Sequence, residues 1–109
     1  MKAETLLVVL STFPNDAAAR AAAEVLVSER LAACVNIVHG VESIYRWQGN
    51  LEHSAEVLAV IKTTAARYAD MEQRLRALHP YEVPEIIALP ATAVAESYLR
   101  WAAEAVDQA

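Results

Sequence analysis

His79, Tyr81, Glu82 and Glu85 stand around Pro80 and Pro84, so one short segment presents an imidazole, a phenol and two carboxylates. Two prolines stiffen such a loop, which lowers the entropy cost of offering those groups to a ligand. The same segment also serves as an ordinary connector from a helix to a strand. Lys62 ends the apolar run Val57-Leu58-Ala59-Val60-Ile61. A lysine in that setting can hold an anion at a cleft between subunits, or it can simply extend its ammonium to water. His39 and His53 show no ligand-like spacing to each other or to Cys34, and a closed metal site needs three or four convergent donors. Both read as strand surface residues. Ser11, Ser28, Ser43, Ser54 and Ser97 have no local base or orienting partner, so no nucleophilic triad is legible.

Composition removes several function classes. Gly40 and Gly49 are the two glycines, which excludes a P-loop, a dinucleotide fingerprint and a nucleophile elbow. The formal charge of -5 repels phosphate backbones, so nucleic acid is not an expected partner. An RNA-recognition module would also need stacking aromatics that Glu56 to Lys62 lack. The run Leu6 to Leu10 is too short for a membrane span or a signal core, and the lone Cys34 allows no internal disulfide. These features lead to an expectation of a cytoplasmic protein that does not engage membranes. With 56% hydrophobic residues in 109, one domain spanning residues 1–109 can build its own core without a metal or disulfide staple.

The elements that must position these groups follow from periodicity. Leu6 to Leu10 reads as a strand apolar on both faces. Asn15 or Asp16 can cap a helix reaching Arg30, with Ala19, Ala22, Leu26 and Val27 on its packing side. Leu31 to Gln48 and Leu51 to Thr63 read as two strands joined by a Gly49-Asn50 turn. Thr63 or Thr64 can cap a helix with Tyr68, Met71, Leu75 and Leu78 on its apolar face, and with Asp70–Arg74 and Glu72–Arg76 pairs on its wet face. The prolines stop it, Glu85 to Leu89 forms a last strand, and Thr92 caps a third helix carrying Val94, Tyr98, Trp101 and Ala105. The order β-α-β-β-α-β plus one helix is that of an α+β, ferredoxin-like sandwich with an extra C-terminal helix and a long hairpin between its second and third strands.

That hairpin is long for its domain. Cys34 to Gln48 would extend roughly 45 Å at about 3.3 Å per residue, against about 35 Å for a globule of this size. Its tip, with Ile44, Tyr45, Trp47 and Leu51, would overhang and expose strand edges, which predicts a homo-oligomer built through the hairpin. The alternative is a bulge at Gly40 that folds the hairpin back over its own helices.

Four blocks in order resemble the CutA divalent-cation tolerance family over nearly the full chain: Leu31-Ala32-Ala33-Cys34-Val35-Asn36-Ile37, Ser43-Ile44-Tyr45-Arg46-Trp47-Gln48-Gly49, Val60-Ile61-Lys62-Thr63-Thr64 and His79-Pro80-Tyr81-Glu82-Val83-Pro84-Glu85-Ile86. The resemblance implies a homotrimer related to the PII signalling class, no enzymatic reaction, and binding of copper or another divalent cation. Of the three donor positions proposed in some members, Ser11, Leu78 and His79 are the matching residues here. His79 is therefore the implied metal ligand, with Glu82 in support. The alternative expectation is a PII-like sensor in which Lys62, Tyr81, Glu85 and Trp47 line a cleft between subunits and bind an anionic metabolite.

Overall fold

A computed structural model describes residues 1–108. The elements run β1 (Leu6–Phe13), α1 (Asp16–Ser28), β2 (Cys34–Trp47), β3 (Asn50–Thr64), α2 (Ala65–Leu78), β4 (Ile87–Pro90) and α3 (Glu96–Ala105). The four strands form one antiparallel sheet in the order β2-β3-β1-β4, as the split β-α-β pattern requires. Strand alternation sends Leu7, Val9, Phe13, Val57, Ala59 and Ile61 toward α1 and α2, where Ala19, Ala22, Leu26, Met71 and Leu75 complete the main core. On α1 the apolar stripe is narrower than its sequence suggests, because Val27 is 42% exposed. Asn15 caps this helix, its side-chain oxygen accepting from the Ala18 amide at 2.8 Å. Thr64 precedes α2 at the cap position, without a capping hydrogen bond from its side chain.

Three local expectations are corrected. The hairpin turn is Gln48-Gly49, not Gly49-Asn50: Trp47 pairs with Asn50, and both turn residues have positive φ, at 50° and 82°. Two consecutive left-handed residues make a type I′ turn, which matches the right-handed twist of its strands even though glutamine is a poor occupant. Gln48→Asn is accordingly expected to stabilise the fold by up to about 1 kcal/mol, measured by urea denaturation, and a lower midpoint would refute this account of the turn. On α2, Arg74 does not pair with Asp70. It reaches across to Glu29 through two hydrogen bonds of 2.9 and 3.0 Å, while Asp70 pairs with the buried Arg67 at 3.2 Å. The Glu72–Arg76 contact does form, at 3.7 Å.

The third correction concerns α3. Ala95, not Thr92, stands at its N-cap, and the helix rests on the sheet through Ala102 and Val106, which join Leu6 and Ala33 in a second small core. Tyr98 and Trp101 point outward, 37% and 48% exposed. Small residues let this helix approach one end of the sheet closely, on the side opposite α1 and α2.

The hairpin does overhang. The molecule is 45 × 26 × 22 Å, and β2 and β3 continue past the end of β1, whose last partner on β3 is Val57. A register shift between Val38 and Val41 marks a bulge around Gly40, φ +79°, yet the hairpin stays extended. The bulge adjusts the strand's twist without folding it back. Among the described residues, no helix is long and apolar enough to cross a membrane.

Candidate functional site

A cleft of about 550 Å³ opens where the hairpin leaves the body of the sheet. Three carboxylates (Glu56, Glu82, Glu85) and three rings (Tyr45, Trp47, Tyr81) line it, and no lysine or arginine is among its lining residues. The positions have a simple origin. Glu56 lies on β3 one residue outside the last β1 pairing, opposite Val41. Residues 41, 43, 45 and 47 pair with 56, 54, 52 and 50, so period-two alternation sets Ser43, Tyr45 and Trp47 on the same hairpin face as Glu56. The proline-bracketed loop after α2 comes round the end of β1 and supplies Tyr81, Glu82 and Glu85.

Glu56 is buried at 9% exposure and accepts the Tyr81 hydroxyl on Oε2 at 2.6 Å. Burial, then the hydrogen bond to Glu56 and the charge of that carboxylate, push the Tyr81 hydroxyl far above the ordinary phenol range. Tyr81 therefore remains a proton donor at any physiological pH. At the hairpin wall, the Tyr45 hydroxyl and Ser54 Oγ share a hydrogen bond of 2.8 Å.

His79 lies beneath this cleft rather than in it. Its Nδ1 is 3.1 Å from the Tyr81 amide, which can only donate, so Nε2 carries the proton and donates to the Thr12 carbonyl at 2.9 Å. The ring stacks on Phe13 at a centroid distance of 4.2 Å, with 7% exposure. Burial lowers its pKa, against the raising effects of the Thr12 carbonyl and the Glu56 charge. Both nitrogens are thus engaged within the chain, Nε2 as donor to the Thr12 carbonyl and Nδ1 as acceptor from the Tyr81 amide. The structure makes His79 the post that anchors the Tyr81 loop to β1. Ser11, another of the donor positions, is fully buried on the core side of β1, and its hydroxyl has no hydrogen-bond partner among the described residues. Ser11→Ala is expected to raise stability by about 1 kcal/mol, read as a denaturation midpoint, because it removes an unsatisfied buried hydroxyl. A loss of stability would show that the hydroxyl is satisfied after all. Leu78, the remaining position, packs partly buried against the main core.

Lys62 does not join the cleft. It faces Val8 and Cys34 across the sheet and donates to the Asn36 side chain. Six residues of extended strand separate it from Glu56, about 20 Å. The expected grouping of Lys62 with Tyr81, Glu85 and Trp47 is therefore split within one subunit: the last three line the cleft and the lysine does not. Glu82 is at the cleft, but among the described residues no three His, Cys, Asp or Glu side chains come together as metal ligands would. The residue that sequence reasoning missed is Glu56. Its one visible signal is a charge on the outward face of β3, next in that face's alternation to the apolar Leu58 and Val60.

Comparison with known proteins follows the same lines. Residues 7–105 match the sequence pattern of the family described as CutA1 divalent ion tolerance protein. The Divalent-cation tolerance protein CutA of Thermus thermophilus is 52% identical over 97 residues, covering 89% of this chain and 94% of that protein. The chloroplastic Protein CutA of Arabidopsis thaliana is 44% identical over 95 residues; that match covers 87% of this chain and about half, 52%, of the plant protein. The crystal structure of CutA from Xylella fastidiosa superimposes with a TM-score of 0.92 at 41% identity, over 94% of this chain and 99% of that one. With the element order, the hairpin and the loop all accounted for, the chain belongs to the CutA1 divalent ion tolerance family.

Proposed function

We propose that this chain is the subunit of a cytoplasmic homotrimer that acts in the response to divalent cations. In this reading copper or another divalent ion binds through Glu82 and Glu85 at the cleft mouth, completed by donors from a neighbouring subunit. One observation carries the assembly. The sheet face turned away from α1 and α2 is apolar and largely open: Val38, Ile87 and Leu89 are 44%, 48% and 48% exposed, and Val8, Leu10, Leu58 and Val60 between them are half-buried. Such a surface calls for a partner, as do the overhanging hairpin edges with Ile44 and Leu51, 60% and 66% exposed. A closed ring of identical subunits covers both at once, and three is the number the family resemblance implies. The lone Cys34 suits a reducing compartment.

Among the described residues no three donors converge within one subunit, so in this reading the ion takes a position shared with a neighbour. An anionic metabolite is not favoured at this cleft, where three carboxylates would repel it. Native mass spectrometry of untagged protein during a Cu(II) titration tests both parts. The expected result is a three-subunit mass that takes up one copper per subunit and loses that uptake in the Glu82→Gln, Glu85→Gln double variant. A single-subunit mass at micromolar concentration overturns the assembly, and uptake unchanged in the double variant overturns the ligands.

A further inference from the structure

The cleft holds more than its two surface carboxylates require. Glu56 is nine-tenths buried; among the described residues its carboxylate accepts one hydrogen bond, from the neutral Tyr81 hydroxyl, and no basic side chain forms an ion pair with it. A buried carboxylate is costly unless a cation compensates it, so the cleft has a place for positive charge that the chain does not itself fill. Its size suits an organic cation in the depth beside Glu56. About 550 Å³ falls within the roughly 300–1,000 Å³ of small-molecule clefts. Its walls argue the same way: Tyr45 and Trp47 present aromatic surface on the hairpin face that Glu56 shares, and aromatic faces attract organic cations.

We propose that this cleft binds a small organic ammonium ion, its charged head directed to Glu56 and its carbon substituents against Tyr45, whose hydroxyl reaches back along the hairpin to Ser54, with Trp47 farther out on the same face. Glu85 at the mouth adds long-range attraction. The inference rests on the cleft being a working site, and not on subunit number or on metal uptake. It also separates this cleft from an anion pocket, since its recognition chemistry has the opposite sign.

The test uses the full chain carrying Trp101→Phe, which leaves Trp47 as the sole indole reporter. Choline and its uncharged isostere 3,3-dimethylbutan-1-ol are titrated at constant ionic strength, followed by Trp47 fluorescence and by calorimetry. Saturable choline binding, at least tenfold tighter than that of the isostere, is expected. Glu56→Gln should weaken choline at least tenfold, and its amide oxygen can still accept the Tyr81 hydroxyl, which keeps the loop in place. Should that variant fail to fold, Glu85→Gln alters an exposed side chain and should weaken choline several-fold. Equal binding of choline and isostere, absence of saturable binding, or affinity unchanged in the folded carboxylate variants would each overturn the proposal. The native masses and copper uptake are read separately, so this failure is distinguishable from failure of the trimer or of the metal site.

Discussion

His79→Ala is expected to destabilise the protein by about 2–4 kcal/mol and to release the Tyr81 loop, whether or not any metal is present. The substitution deletes a ring stacked on Phe13 and strands two backbone groups, the Thr12 carbonyl and the Tyr81 amide, at a site that is 7% exposed. Unsatisfied buried groups cost about 1–3 kcal/mol each, and the lost packing adds to that. Equilibrium unfolding in urea with added chelator measures the loss. A change below about 0.5 kcal/mol would show that the anchoring role is wrong. The consequence for metal studies is direct: copper uptake lost on replacing His79 would report a displaced Glu82 and Glu85 as readily as a missing ligand. Only a variant that keeps the fold separates these causes.

The same residue gives a pH dependence with a definite sign. Burial depresses the folded pKa of His79 below its ordinary value near 6.5, so between those two values the unfolded chain binds more protons than the folded one. Stability is therefore flat with respect to this group above about pH 6.5 and declines as pH falls through the folded pKa. His79→Gln should flatten that decline in unfolding free energies measured from pH 7 downward. An unchanged slope would assign the decline to other groups.

How much of this was legible depended on distance along the chain. The element order could be read because period-two and helical patterns are local, and the overhang because strand length needs only arithmetic. The turn slipped by one residue because Gln48 adopts φ 50°, a conformation that glutamine does not advertise. On α3 the spacing singled out Val94, Tyr98, Trp101 and Ala105, while the fully buried contact is made by Ala102 and Val106, which no local pattern marks out. The metal role of His79 came from the family resemblance, and its anchoring role is invisible locally because its partner Thr12 lies 67 residues away. Glu56 and Tyr81 are 25 residues apart, and nothing in either segment announces their bond. The cleft is the product of long-range placement: a hairpin outrunning β1, and a loop folded round the end that β1 leaves.

Converting Ile87 and Leu89 together to glutamate is expected to split the proposed trimer into single subunits that remain folded. Both side chains are 48% exposed in the isolated subunit, so their loss should cost that subunit no more than about 1 kcal/mol. In an assembly closed through the open sheet face, the two new charges would appear once per subunit and lie against Val8, Leu10 and their neighbours in a surface removed from water. Burying unpaired carboxylates there costs several kcal/mol per subunit, more than enough to move the equilibrium by several powers of ten. The measured mass should fall threefold at micromolar concentration, and the thermal midpoint should lose its dependence on protein concentration. A trimer that survives the double substitution would place the interface elsewhere, on the hairpin edges alone. The same variant isolates the cleft, because Ile87 and Leu89 do not line it. Any ligand still bound by the dissociated subunit must be held by one chain, whereas a divalent ion completed by a neighbour must be lost with that neighbour.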